Sequence, residues 1–215
     1  VGAGVHGKFI YMILDKEWSV WCTLGMTGSW SEDARKHPRI RFTLNDGDIH
    51  FNDQRNFGTV KFVKGKFQLI KKLQSLGPDM LVEDIDPNEF IRLFRKNESW
   101  QITSAMMNQS IVSGIGNYIK AEALWLARIS PHRRVNELSD EHLTRLCECI
   151  KSIMRESLKT GGATIRTYKG FNGEDGGYAR RFMVYNQKTD PDGNEVVREM
   201  TEDQRTTHWC PKVQT

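Results

Sequence analysis

The spacing of apolar residues changes at Leu76-Gly77-Pro78, and that change limits the folds open to the chain more than any other feature. Before it, apolar and polar residues alternate in short runs, the period of strands with one buried face. "RIRFTL" places Ile40, Phe42 and Leu44 on one face and Arg39, Arg41 and Thr43 on the other. "NDGD" supplies a turn before "IHF", which predicts a hairpin. "WSVWCTL" alternates likewise, and "KFIYMIL" reads as a more buried strand. Gly77-Pro78 stops this pattern. Asp86-Pro87 reads as an N-cap followed by a proline in the first helical position, and from there the period is helical.

The clearest helix follows Ser139, with Leu143, Leu146, Cys147, Ile150, Ile153, Met154 and Leu158 along one stripe. Ser139 caps it, Asp140 and Glu141 occupy its first turn, and Gly161-Gly162 ends it. "NYIKAEALWLAR" predicts another. A Gly-rich segment, residues 170–177, precedes a final hairpin written as "FMVYNQ", "DPDGN" and "VV" and closed by "RTTHW". The expected class is α+β. A partial antiparallel β-sandwich spans residues 1–76, a linker 77–90, a helical domain 91–178 and a hairpin 179–215.

Composition fits a soluble globular protein, with 38% hydrophobic and 27% charged residues. No apolar run reaches the length of a membrane span. The net charge is only +4, but its distribution is uneven. Residues 35–72 hold ten Lys and Arg against three acids, a net of +7, and residues 73–99 hold six acids against three bases. A basic block of this kind suits a polyanion, although a solvated charged face gives the same pattern. Cys22, Cys147, Cys149 and Cys210 show no disulfide framework, which points to a reducing intracellular compartment, nucleus or cytoplasm. The opening "VGAGVHGKF" has neither an initiator Met nor a signal-like stretch and reads as a piece cut from a longer protein.

"NQSIVSGIGNYIKAEALW" carries the most information. Gly114 and Gly116 allow a tight connection, and Asn117 opens a helix whose N–H groups and dipole suit a phosphate. A ligand-free helix–helix turn would read the same. Extended to "NQSIVSGIGNYIKAEALWLARISPH", the stretch closely resembles the helix–two-turns–helix segment of the formamidopyrimidine-DNA glycosylase/endonuclease VIII family of base-excision repair enzymes. Three further stretches match in order. "HGKFIYMIL" is similar to the hairpin that carries the family's active-site lysine, here Lys8. "LGMTGSW" and "NDQRNFGT" resemble the two loops that fill the hole left by an extruded base. "VYNQKTDPDGNEVV" and "QRTTHWCPKVQ" resemble its C-terminal finger. The resemblance spans essentially all 215 residues.

The resemblance implies a bifunctional glycosylase and AP lyase that flips an oxidised base out of damaged double-stranded DNA, forms a Schiff base and cleaves by β,δ-elimination. It assigns Met26, Arg55 and Phe57 to the vacated space, although core packing is the ordinary role of a residue such as Met26. It places Lys8 and Asn117 on the phosphates flanking the lesion and His37 on DNA. Arg205 would hold the lesion phosphate and assist elimination, so Lys8 and Arg205 are its catalytic residues here. One departure is Asn56, where the bacterial enzymes commonly carry a second arginine. A structural zinc site in the finger needs four thiolates, and residues 182–215 contain only Cys210, with Val213 in the last ligand position. The tail therefore resembles the zincless fingers of some endonuclease VIII-like members, with no metal and no cofactor. The family nucleophile is an N-terminal proline followed by glutamate; Val1-Gly2 stands instead, so an N-terminally truncated, inactive fragment is expected. The preferred lesion stays open, with the loop 166–178 in the region that caps the flipped base. The other readings are a non-catalytic damaged-DNA-binding paralogue and, more remotely, an RNA- or ribosome-bound protein. A monomer that avoids membranes is expected.

Overall fold

The structure is a computed structural model that describes residues 2–164, 171 and 173–215. It divides into two units, each assembled from two stretches of chain. One comprises Val1–Gln74 with Ser157–Arg180, the other Ser75–Glu156 with Arg181–Thr215.

Among the described residues the first unit holds seven strands: β1 (Gly2–His6), β2 (Phe9–Ile13), β3 (Trp18–Thr23), β4 (Gly28–Ser31), β5 (Pro38–Leu44), β6 (Gly47–Asp53) and β7 (Thr59–Lys64). They form two antiparallel sheets, ordered β1-β2-β3-β7 and β4-β6-β5. Phe9, Val20, Cys22 and Phe51 are buried, and Phe42 of one sheet approaches Phe62 of the other at 5.9 Å between ring centroids. The predicted hairpin is present, with Leu44 opposite Gly47 across Asn45-Asp46. Ile40 and Phe42 are half-buried as their alternation requires, whereas Leu44 at the strand end is exposed. The strand β2 is less buried than its run of apolar residues implies, because only Phe9 is enclosed.

A helix that the alternation does not announce, α1 (Lys66–Gln74), follows β7. Leu69 is buried on it and Leu73 half-buried, while Phe67 and Ile70 face solvent beside Lys71 and Lys72.

The second unit contains α2 (Pro87–Arg95), α3 (Ile102–Met107), α4 (Asn117–Leu126) and most of α5 (Asp140–Lys159), whose last residues enter the first unit. Asp86 caps α2 by accepting from the Asn88 and Glu89 N–H groups at 2.7 and 3.2 Å, with Pro87 at the helix start. The Ser139 hydroxyl accepts from the His142 N–H at 3.2 Å at the head of α5. The α5 stripe packs inward from Leu143 to Met154, and Leu158, beyond it, is exposed. Burial raises the Cys147 thiol to about 11, which keeps it protonated. Gly161 and Gly162 follow with φ of +74° and +84°, a left-handed stop that a side chain would strain.

The C-terminal hairpin differs in register from its expected form. The strands are β8 (Val197–Met200) and β9 (Thr206–Trp209), with Val197 opposite Trp209. "FMVYNQ" is not a strand. The Met183, Val184 and Tyr185 N–H groups donate instead to the buried carboxylate of Glu122 on α4, at 2.8, 2.9 and 2.8 Å. One carboxylate satisfies three donors that a partner strand would otherwise take. Among the described residues, no helix is long and apolar enough to cross a membrane.

Candidate nucleic-acid interface

In the first unit the loops 24–28 and 53–58 lie backbone against backbone. A Cβ at Gly25 would stand 2.7 Å from the Phe57 carbonyl carbon and 2.8 Å from the Gly58 nitrogen, and Gly25 has φ +59°. Only glycine permits that approach. Asp53, 1% exposed, organises the join. Its Oδ2 accepts from the Gly58 N–H at 2.7 Å, and its Oδ1 accepts from the Arg55 N–H at 3.2 Å and from the Thr27 hydroxyl. Burial alone would raise the Asp53 carboxyl, but these donors, with the Asn56 N–H, outweigh it and hold the group below the ordinary range.

That frame brings three predicted residues together. The Arg55 guanidinium lies over the Phe57 ring, 4.5 Å from its centroid, and its Nη1 is 3.4 Å from the Met26 sulfur. Met26 is 63% exposed and Phe57 54%, so neither is a core residue. Together the three form an exposed wedge of a stacked cation, an aromatic ring and a thioether at the junction of the two loops. Asn56 takes φ +56°, a left-handed conformation that asparagine tolerates. His37 reaches the same frame through its backbone, with its carbonyl accepting from the Asp53 N–H at 3.1 Å and φ at +64°. Lys8 is exposed in the tight turn between β1 and β2, next to Gly7 at φ +56°. Its position is set by that hairpin, whereas the wedge is set by the two loops.

In the second unit the start of α4 and the hairpin turn meet. Asn117 Nδ2 donates to the Thr206 carbonyl at 2.8 Å, and its Oδ1 is buried without a hydrogen-bond partner among the described residues. Thr206 directly follows Arg205, which is exposed at the end of the connection between β8 and β9. One turn along α4 from Asn117, the fully buried Lys120 Nζ pairs with Asp203 Oδ2 at 2.6 Å. Burial pushes the Lys120 ammonium below its ordinary range; Asp203 opposes this, and the Arg205 charge adds to it.

The finger is closed by polar side chains. Asp190 Oδ1 accepts from the N–H groups of Asp192 and Asn194 at 3.0 and 2.8 Å. Its Oδ2 accepts from Asn194 Nδ2 at 3.1 Å and from the Trp125 indole at 3.4 Å. At the other end the buried Gln214 receives the Cys210 N–H through Oε1 and donates to the Ile129 carbonyl, both at 2.8 Å. Cys210 is a buried free thiol. His208 packs edge-on to Tyr185, with ring centroids 4.9 Å apart, and neither of its nitrogens has a partner among the described residues. Among the described residues, no three His, Cys, Asp or Glu side chains converge in a metal-binding group.

Asp53, Lys120, Asp203 and Glu122 were not singled out from the sequence. The available signal was charge inside the otherwise apolar helix "NYIKAEALWLAR", where Lys and Glu are almost never fully buried unless paired. Residues 166–170 and 172 of the loop expected to cap a flipped base lie outside the described residues.

Comparison with known proteins matches the same segments. The formamidopyrimidine-DNA glycosylase N-terminal domain matches residues 1–60, its H2TH domain 76–169 and its C-terminal domain 179–215. A formamidopyrimidine-DNA glycosylase of Desulfitobacterium hafniense (strain DSM 10664 / DCB-2) is 32% identical over 215 residues, covering 96% of this chain and 78% of that protein. The chain belongs to the formamidopyrimidine-DNA glycosylase family. A family member from Listeria monocytogenes serotype 4b (strain F2365) is 32% identical over 99% of the chain and 81% of its own length. Among solved structures of the family, MutM (Fpg) from Thermus thermophilus superposes with a TM-score of 0.88 at 29% identity, covering 99% of this chain and 81% of that one. Lactococcus lactis Fpg in complex with DNA containing an abasic site gives 0.86 at 29% identity, covering 100% and 81%. The α+β class, with antiparallel sheets, a helical H2TH region and a C-terminal hairpin, is the family fold.

Proposed function

We propose that this chain recognises damaged double-stranded DNA and belongs to a bifunctional DNA glycosylase and AP lyase that removes oxidised bases by base flipping, Schiff-base formation and β,δ-elimination. The carrying observation is the exposed wedge, Arg55 over Phe57 and against Met26, held by Asp53. Flipping a base out of its stack costs unstacking energy, and a group that fills the gap offsets part of that cost. Met26 and Phe57 supply apolar surface, and the Arg55 guanidinium offers donors to the orphaned partner base.

Lys8, Asn117 and Arg205 act as phosphate contacts in this reading and His37 contacts DNA, with Lys8 and Arg205 also serving the cleavage chemistry. An arginine suits the lesion phosphate because its fork binds two oxygens and stays charged. The names of the DNA-bound relatives support the substrate class: Lactococcus lactis Fpg has been solved with abasic-site DNA and MutM with DNA containing carbocyclic 8-oxo-G.

The test compares the affinity of the chain for a duplex carrying a tetrahydrofuran abasic analogue with that for the intact duplex. Preference for the analogue, lost in Met26→Ala/Phe57→Ala, is expected. Equal affinity for both duplexes would remove the recognition reading. The chemistry is tested by single-turnover release of an oxidised base by the protein expressed from its complete reading frame. Binding without base release there would favour the non-catalytic damaged-DNA binder.

A further inference from the structure

Lys120 and Asp203 form an ion pair that solvent does not reach, with side-chain exposures of 0% and 3%. A lysine is seldom enclosed in this way, and an enclosed pair is weak evidence for stability, because desolvation offsets attraction. Such a pair is better explained by what it fixes in place. Asp203 sits in the connection 201–205, two residues before Arg205. The Thr201 hydroxyl lies 2.6 Å from Asp203 Oδ1 and 3.2 Å from the Arg205 carbonyl, and can donate to either. The Thr201 N–H donates to the same Arg205 carbonyl at 3.2 Å, and Gln204 turns the chain at φ +57°. Asn117 holds the Thr206 carbonyl on the other side.

Asn117 and Lys120 are three residues apart, so both project from one face of α4. From that face they seize the backbone or side chains at 203 and 206, on either side of Arg205. The Arg205 side chain is exposed, and no hydrogen bond or ion pair of its guanidinium occurs among the described residues. Its backbone is therefore fixed while its charged end is free to meet a ligand. Asp203 is paired with Lys120, and Arg205 lies two residues further along the same connection.

We propose that Lys120 is a positioning residue: through Asp203 it holds the β8–β9 connection so that Arg205 is presented to a DNA phosphate. This rests on the assignment of Arg205 to the lesion phosphate. Lysine at 120 touches neither the DNA nor the reacting atoms in this role.

The experiment is a double-mutant cycle on the affinity for the tetrahydrofuran duplex. Arg205→Ala should weaken binding about 10- to 100-fold, the loss of a hydrogen bond to a charged group. Lys120→Met/Asp203→Leu replaces the pair by apolar side chains, which a buried pair commonly tolerates without loss of stability. It should weaken binding about 10-fold in wild type and less than about 2-fold in the Arg205→Ala background, because the two act through one contact. Asp203→Asn carries the same expectation, keeps the carboxylate's shape, and serves if the double variant does not fold. Lys120→Arg, which keeps a cation opposite Asp203, should retain most of the affinity. A 10-fold loss in both backgrounds, or no loss in wild type while Arg205→Ala weakens binding, overturns the positioning role and leaves the proposed function standing. If Arg205→Ala itself changes nothing, the phosphate assignment fails, and the positioning role with it.

Discussion

Asp53 has its charge stabilised by donors from both wedge loops, and its folded pKa lies below the ordinary aspartate value of about 3.9. A depressed carboxyl stabilises the fold above its unfolded pKa, and that contribution disappears as pH falls through the folded value. Asp53→Ala leaves the Gly58 and Arg55 N–H groups without their acceptor. It should cost about 2–3 kcal/mol in chemical denaturation and weaken preference for the abasic duplex. His208 gives a separate pH signature. Burial, with the nearby Arg198 and Lys120 charges, lowers it to about 4 from an ordinary 6.5. Protonation then favours the unfolded chain, so stability should rise between about pH 4 and 6.5 and level off above, by up to about 3 kcal/mol. Denaturation across that range checks it, and His208→Phe, which keeps the ring against Tyr185, should flatten the rise. An unchanged slope in the variant would assign the titration elsewhere.

Among the elements, the finger shows how a hairpin holds its shape through side-chain hydrogen bonds. Asp190 binds its own turn and reaches Trp125 on α4, while Gln214 ties the chain end to the Ile129 carbonyl. Each makes its bonds while buried, so truncation leaves polar backbone groups without partners. Asp190→Ala and Gln214→Ala should each lower stability by about 1–3 kcal/mol, measured by thermal melting or urea titration. Zinc should be absent at stoichiometric level, and chelation should leave the melting temperature unchanged. Elemental analysis finding about one zinc per chain would contradict this, because structural sites of that type stay filled in the folded state.

For the whole molecule, the relevant quantity is the response of DNA affinity to salt. Log K for a duplex should fall linearly with log salt concentration, by about 0.9 for each phosphate neutralised. Arg205→Ala should reduce that slope by about one unit, while Met26→Ala should leave it unchanged, since a thioether releases no counterion. Titrations at several salt concentrations read both slopes. An Arg205→Ala variant with an unchanged slope would remove Arg205 from the phosphate contacts.

Features that depend on neighbours a few residues away are legible in the sequence. The β5–β6 hairpin, the Asp86-Pro87 helix start, the Ser139 cap and the Gly161-Gly162 stop rest on local backbone preferences, which a short stretch carries in full. The wedge residues and Arg205 were legible through their resemblance to a family, and the structure brings Met26, Arg55 and Phe57 into contact. The tertiary structure was needed to place α1, a nine-residue helix whose short apolar face at Leu69 and Leu73 is flanked by the exposed Phe67 and Ile70. It also decided that "FMVYNQ" gives its N–H groups to Glu122 rather than to a strand, moving the hairpin to Val197–Met200 and Thr206–Trp209. Asp53 and the Lys120–Asp203 pair belong to the same class. Lys120 and Asp203 are 83 positions apart in the chain. A charge becomes a structural fixture only when its partner arrives from that distance and water is excluded from both, and no local pattern of residues encodes that.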